Sequence, residues 1–187
     1  MGYALVKPVS EQDYLHAENL SRTKHEYIFG VVYAMAGASE RHNTIAGNLF
    51  AACHSARKNG PCKPFMGDMR LRIGNGQSYY YPDVMLVCDG TDNDLMFKSR
   101  PCMVAEVTSP STEGQDHREK LQAYTAIPSL QEYLIVSQDT MQIDHYLRAN
   151  ATDWMHSTLK SGDVLELRCM QLVTTVDAVY ANVEFGD

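Results

Sequence analysis

The stretch Met103-Val104-Ala105-Glu106-Val107 places one glutamate inside an otherwise apolar run. A strand with apolar side chains on both faces belongs in a sheet that is covered on both sides. An ionised glutamate in such a strand is costly unless it is paired or bound to a cation. The chain therefore needs layers above and below one sheet and a partner for Glu106. A buried salt bridge or a strand-end position would serve as well as a functional site. With 187 residues the chain is long enough for one domain with a proper core, and we expect a single domain over residues 1–187.

The rest of the pattern agrees with a mixed architecture. Ser10, followed by Glu11 and Asp13, predicts a capped helix from about Ser10 to Leu20. YIFGVVYAMAG reads as two short strands around Phe29-Gly30. A second helix should start near Ser39 and end at Gly60-Pro61, since IAGNLFAACHSARK repeats apolar residues at helical spacing. CKPFMGDMRLRI then alternates like a strand, and Gly74-Asn75-Gly76 is a hairpin turn. We expect one strand over SYYYPDVMLVCD, an exposed polar loop over DGTDNDLMFKSR, and the buried strand around Glu106. Thr112 and Gln115 form a capping-box pattern for a helix running to about Ala126. Three strands (QEYLIVSQ, MQIDHYLR, DWMHSTLK) and a short helix over TTVDAVYANV complete an α/β, or α+β, fold with a mixed sheet.

Composition narrows the function classes. The net charge of -7 has the wrong sign for general nucleic-acid binding, in which phosphate neutralisation supplies affinity. Arg41, Arg57, Lys58, Lys63, Lys98 and Arg100 are the candidates for a local basic patch, against the reading of a solvated surface. No apolar run is long enough to span a bilayer and no secretory signal is visible. The five cysteines are scattered without a CxxC pair, which argues against a zinc site or disulfide framework and for a reducing cytoplasm. Cys88 and Cys102 read as core filler, and Trp154 and Tyr146 as core rather than a base-stacking platform.

Two acids and one lysine carry what chemistry the residues suggest. Pro82 lacks an N–H, so Asp83 stands where a strand ladder loosens. Lys120 follows Asp116 by four residues, the favoured spacing for a surface ion pair, but it also borders an apolar stripe and could reach inward to Glu106. Asp68 is a further acidic candidate whose simpler reading is a strand-entry residue.

The stretch YYYPDVMLVCDG…PCMVAEVTSPSTEGQDHREKLQAYTAIPSLQEYLIV closely resembles the Uma-two family of restriction-endonuclease-like proteins, within the PD-(D/E)XK nuclease superfamily. HEYIFGVVYAMAGASERHNTIAGNL is similar to the family's N-terminal part, so the resemblance runs from about Glu26 to about Val136. It implies a restriction-endonuclease-like core, a central mixed sheet flanked by helices. Asp83 matches the PD aspartate and Glu106 the second acid. Thr108 occupies the usual lysine position, and the resemblance points to a lysine that has migrated to Lys120. Glu26 resembles an acid that completes the metal site, and His42 matches a family histidine of unassigned role. Phe29 stands where a polar residue is more usual, which bears on the turn geometry.

The activity implied is Mg²⁺- or Mn²⁺-dependent hydrolysis of DNA phosphodiester bonds, with hard oxygen ligands for the ion. Nuclease folds of this kind commonly pair up, so a homodimer is a further expectation. The alternatives are a nuclease-like binding or assembly module without activity, and a hydrolase of small phosphoesters.

Overall fold

The structure, a computed structural model, describes residues 7–57, 60–108 and 115–185, with only the backbone at 115–117. Lys58, Thr112 and the SPST segment lie outside the described residues, as does the side chain of Asp116. In chain order the elements are α1 (Glu11–Leu20), β1 (His25–Ile28), β2 (Val31–Ala34), α2 (Glu40–Ala56), β3 (Lys63–Met66), β4 (Arg70–Ile73), β5 (Ser78–Tyr80) and β6 (Val84–Val87). Then come β7 (Phe97–Lys98), β8 (Met103–Thr108), α3 (Gln115–Thr125), β9 (Glu132–Ser137), β10 (Gln142–Arg148), β11 (Trp154–Lys160), β12 (Val164–Leu167), β13 (Leu172–Thr175) and α4 (Val176–Val179). A 3₁₀ turn, Arg168–Met170, joins β12 to β13.

The central sheet has the order β11-β10-β9-β8-β6-β3 and is mixed, with β8 and β9 parallel and its other pairs antiparallel. All six residues of β8 are buried, as the apolar run requires. Its side chains alternate between two cores. Met103, Ala105 and Val107 pack with Ile45, Leu49 and Cys53 of α2, which repeat at helical spacing. On the other face Val104 packs with Tyr124 of α3, Tyr133 of β9, Ile127 and Leu130. Leu165, Leu167, Val176 and Val179 bring the C-terminal β12–β13 pair and α4 into the α2 side.

Ser10 and Ser39 cap α1 and α2 as their sequence positions predict, accepting from the backbone N–H of Asp13 and His42. A second sheet, β2-β1-β5-β4-β7, stands beside the first. The strand expected over SYYYPDVMLVCD is instead two strands in two sheets, β5 in one and β6 in the other. Pro82 has no N–H to give a ladder, and the chain crosses between sheets at Tyr81-Pro82.

The loop after β6 is largely exposed, as its polarity suggests, but it is ordered by its own hydrogen bonds. Asp89, Asp92 and Asp94 accept backbone N–H groups, β7 pairs parallel to β4, and Lys98 is buried, donating to the carbonyls of Asp92 and Asp94. The cysteines also depart from expectation: Cys62 and Cys88 form a disulfide, and Cys102 and Cys169 lie against it. Sequence spacing hides this because folding, not proximity in the chain, brings their strand ends together. No helix among the described residues is long and apolar enough to cross a membrane.

The β1–β2 turn has φ of 47° at Phe29 and 89° at Gly30, the two positive values of a type I′ turn. A Cβ at Gly30 would stand 2.5 Å from the Pro8 Cβ, so glycine is required there. Phe29 is not suited to its position: its ring is 69% exposed and its backbone is left-handed. Phe29→Asn is expected to stabilise the fold by roughly 0.5–1 kcal/mol, read as a higher urea midpoint. An unchanged or lower midpoint would contradict the strain at this turn.

Candidate active site

Glu106 leaves β8 on the α3 side of the sheet. Lys120 and Tyr124 are four residues apart on α3 and share the face turned toward it. The Tyr124 hydroxyl donates to Glu106 Oε1 at 2.6 Å. The Lys120 ammonium lies 3.5 Å from the same oxygen and 3.0 Å from Glu26 Oε1 of β1. Glu26, Glu106 and Lys120 are only 8%, 5% and 8% exposed. Lys120 therefore turns inward, toward Glu106 and Glu26. Arg148 secures the helix from below, donating to the carbonyls of Thr125, Ile127 and Leu130 while its guanidinium lies 4.3 Å from the Trp154 ring centroid.

Asp83 stands one residue before β6. The Val84–Ala105 pairing, carried one step further, sets it opposite Glu106. Its Oδ2 accepts the Val107 N–H at 2.7 Å and lies 3.1 Å from His42 Nε2. His42, left without a role by sequence, thus orients Asp83 from the first turn of α2. Asp68 does not join the group: it is exposed and pairs with Lys24 at 2.5 Å.

The group crowds three carboxyl groups together. Glu26, Asp83 and Glu106 face Lys120 and a histidine. Burial pushes the Glu106 carboxyl up to about 8, and the nearby Asp83 and Glu26 charges add to this against the pull of Lys120 and the Tyr124 hydrogen bond. The His42 imidazole is raised above its ordinary value, chiefly by its hydrogen bond to Asp83 and against the effect of burial. Clustered carboxyl groups, with the Val107 backbone alongside, fit a hard divalent ion held by Asp83 and Glu106.

A cleft of about 600 Å³ opens on Asp83 and His42 and is lined also by Arg22, Lys24, Asn43 and Tyr81. Arg22 and Lys24 were not singled out by sequence, because they lie in the connection between α1 and β1, where two cations carry no periodic signal. Three of the basic residues that sequence did single out are used elsewhere. Arg100 pairs with Asp89 at 3.1 Å, Arg41 with Asp139 at 3.6 Å, and Lys98 is buried against carbonyls.

A mixed sheet with helices on both faces, and paired acids and a lysine at the entry to its central strands, defines a nuclease-like α/β class. Residues 11–177 match the Uma2 family, described as "Putative restriction endonuclease", and the chain belongs to that family. Two relatives from Synechocystis sp. are similar over most of their length. The "Uncharacterized protein slr1290" is 37% identical over 178 residues, covering 95% of this chain and 94% of the relative. The "Uncharacterized protein sll1609" is 35% identical over 162 residues, covering 85% and 92%. Among solved structures, "a putative nuclease belonging to DUF820" from Anabaena variabilis superposes with a TM-score of 0.74 at 15% identity, covering 93% of this chain and 98% of that one. That likeness establishes the shared fold.

The raised Glu106 carboxyl has a consequence for stability. At acid pH it is protonated in both folded and unfolded chains. Between its ordinary value of 4.5 and about 8 the unfolded chain ionises while the fold resists, so stability falls as pH rises through that window. Glu106→Gln removes this penalty and leaves Lys120 its Glu26 partner. In the presence of a chelator, the variant is expected to melt above the native chain at pH 8, with the gap closing near pH 4.5. A gap that is the same at both pH values would contradict the assignment.

Proposed function

We propose that this chain is a metal-dependent endonuclease that hydrolyses phosphodiester bonds in DNA. The observation that carries the reading is the convergence of Glu26, Glu106 and Lys120 behind Asp83, which itself lines a cleft with His42 and Arg22. Membership of a family described as "Putative restriction endonuclease" supports it.

Asp83 and Glu106 would hold Mg²⁺ or Mn²⁺. When bound there, the ion supplies a water of lowered pKa and stabilises charge on a phosphoryl oxygen. The chain's own residues do the remaining work. His42 and the Val107 N–H fix one oxygen of Asp83 and leave the other free to turn toward a ligand. Tyr124 holds Glu106 in place, and Glu26 holds Lys120. The Lys120 ammonium is then a fixed positive charge that orients the attacking water or meets the charge developing on the phosphate. Arg22, on the wall of the same cleft, suits a flanking phosphate of a polyanion despite the net charge of -7, and Lys24 would join it by exchanging its Asp68 partner for a phosphate.

With plasmid DNA and Mg²⁺ or Mn²⁺, Asp83→Ala and Glu106→Ala are each expected to abolish nicking and linearisation. Lys120→Ala should slow cleavage roughly 10²–10³-fold, as for loss of one charge-stabilising donor. His42→Ala should lower metal affinity or rate by about 10–100-fold, as for a residue that orients a ligand. Undiminished cleavage by both acid variants would overturn the proposal.

A second reading, a nuclease-like binding module without turnover, is favoured by the acidic balance of the chain and by Thr108 at the usual lysine position. Calorimetric Mn²⁺ binding that depends on Asp83, with no cleavage of plasmid, single-stranded DNA or a generic phosphodiester, would select it. Cleavage of the generic ester alone would select a small-phosphoester hydrolase.

A further inference from the structure

Four of the five cysteines, distant in sequence, meet at one point of the fold. Cys62 directly precedes β3, Cys88 follows β6, Cys102 precedes β8, and Cys169 sits in the 3₁₀ turn between β12 and β13. Antiparallel pairing of β3 with β6 and of β6 with β8 brings the first three strand ends together. The Sγ atoms of Cys88, Cys102 and Cys169 lie within 4.8 Å of one another, with Cys88 and Cys102 at 3.2 Å. The Cys62 sulfur is bonded to that of Cys88 and completes the group. Cys53, the fifth cysteine, is fully buried on α2 and stands outside it.

We infer that in the reduced protein these four cysteines form a structural site for one Zn²⁺ ion. A cysteine that only fills a core needs apolar neighbours; it does not need three other sulfurs from separate chain segments. Four thiolates are a closed ligand set for zinc, with Zn–S of about 2.3 Å and hence roughly 3.8 Å between sulfurs. The spacings among Cys88, Cys102 and Cys169, 3.2 Å and up to 4.8 Å, bracket that value, and the Cys62 sulfur, held against Cys88 by the disulfide, would take the fourth place once reduced. They suit one ion better than an iron–sulfur cluster, whose bridged irons hold their cysteines further apart.

Cys62, Cys88 and Cys169 are partly exposed, so an ion has a way in. The nearest acid, Glu132, does not compete as a hard ligand. Its Oε1 accepts the Cys169 N–H at 2.8 Å and its Oε2 lies 3.2 Å from His145 Nε2. The site is separate from the acidic one. Asp83 and Cys88 lie at opposite ends of β6, about 17 Å apart at strand rise, and the inference does not depend on the nuclease reading.

Opening the site is ordinary thiol chemistry. Reduction of the Cys62–Cys88 bond by a dithiol takes up two electrons and two protons and yields two thiols, while the reductant becomes a disulfide. Zn²⁺ then displaces the thiol protons as the Zn–S bonds form. The ion would tie the ends of β3, β6 and β8 to the C-terminal β12–β13 unit.

The test uses the full chain, reduced and handled without oxygen. Elemental analysis is expected to find about one zinc per chain, and Co²⁺ in its place should give thiolate-to-cobalt absorption in the near ultraviolet with tetrahedral bands in the visible. Cys102→Ser and Cys169→Ser should lose most of the bound zinc, and Cys53→Ser should retain it. Absence of both zinc and thiolate–cobalt absorption in the reduced native chain would overturn the inference. So would serine variants that keep the native zinc content. The cobalt spectrum needs no variant, so a variant that fails to fold leaves the test decisive.

Discussion

The arrangement around Glu106 is the constraint on which the rest of the structure depends. Strand β8 must be apolar on both faces to fill the centre of its sheet, yet it carries a carboxylate that burial disfavours. The fold meets this by laying α3 across that face so that Lys120 and Tyr124 both reach one carboxylate oxygen. Arg148 then holds the end of α3 by its carbonyls, so strand β10 supports the helix that supports the acid. Such a buried group is not an efficient source of stability, since replacing it with an apolar residue is often neutral or stabilising. Its presence in the most buried strand is a physical argument for use. The Lys120 ammonium is oriented at the expense of the most favourable packing.

Pro82 is the second device that makes the site. A continuous strand through Tyr80 and Val84 would keep both in one sheet. The missing N–H of proline ends β5, sends the chain into the central sheet as β6, and leaves Asp83 just outside the ladder. The same crossing keeps β1, paired with β5, close enough for Glu26 to reach Lys120. Acids from two sheets and a lysine from a helix can meet only because the two sheets are joined at this point.

Local chemistry made much of this readable in the sequence. Serine caps fixed the starts of α1 and α2, glycine-rich turns marked the hairpins, and an all-apolar strand announced both the covered sheet and the oddity of Glu106. Features set by tertiary contacts were not readable. Spacing alone left open whether Lys120 reaches inward, and only the placement of α3 against β1 and β8 brings it to Glu26 and Glu106. The strands β12 and β13 are four residues each, too short for their alternating burial to stand out in the sequence. Arg22 and Lys24 lie in a connection with no pattern. Cys62 and Cys169 are separated by 107 residues and meet only because the ends of β3, β6 and β8 are aligned under the C-terminal turn.

The two ends of the β6–β8 pair offer opposite donor chemistry, and this bears on how one chain could keep two metals apart. Carboxylates alone discriminate poorly, because zinc binds most nitrogen and oxygen sites more tightly than magnesium. His42, beside Asp83, would deepen that problem if its ring nitrogen were free to ligate. Its Nε2 is committed instead to the hydrogen bond that orients the acid. An ion held at the acidic end, as proposed, would then be one that prefers oxygen and keeps its water. The four sulfurs at the other end present the soft ligands that zinc prefers. Separation by the length of one short strand is enough, since each ion is chosen by its first ring of atoms and neither site shares a ligand with the other.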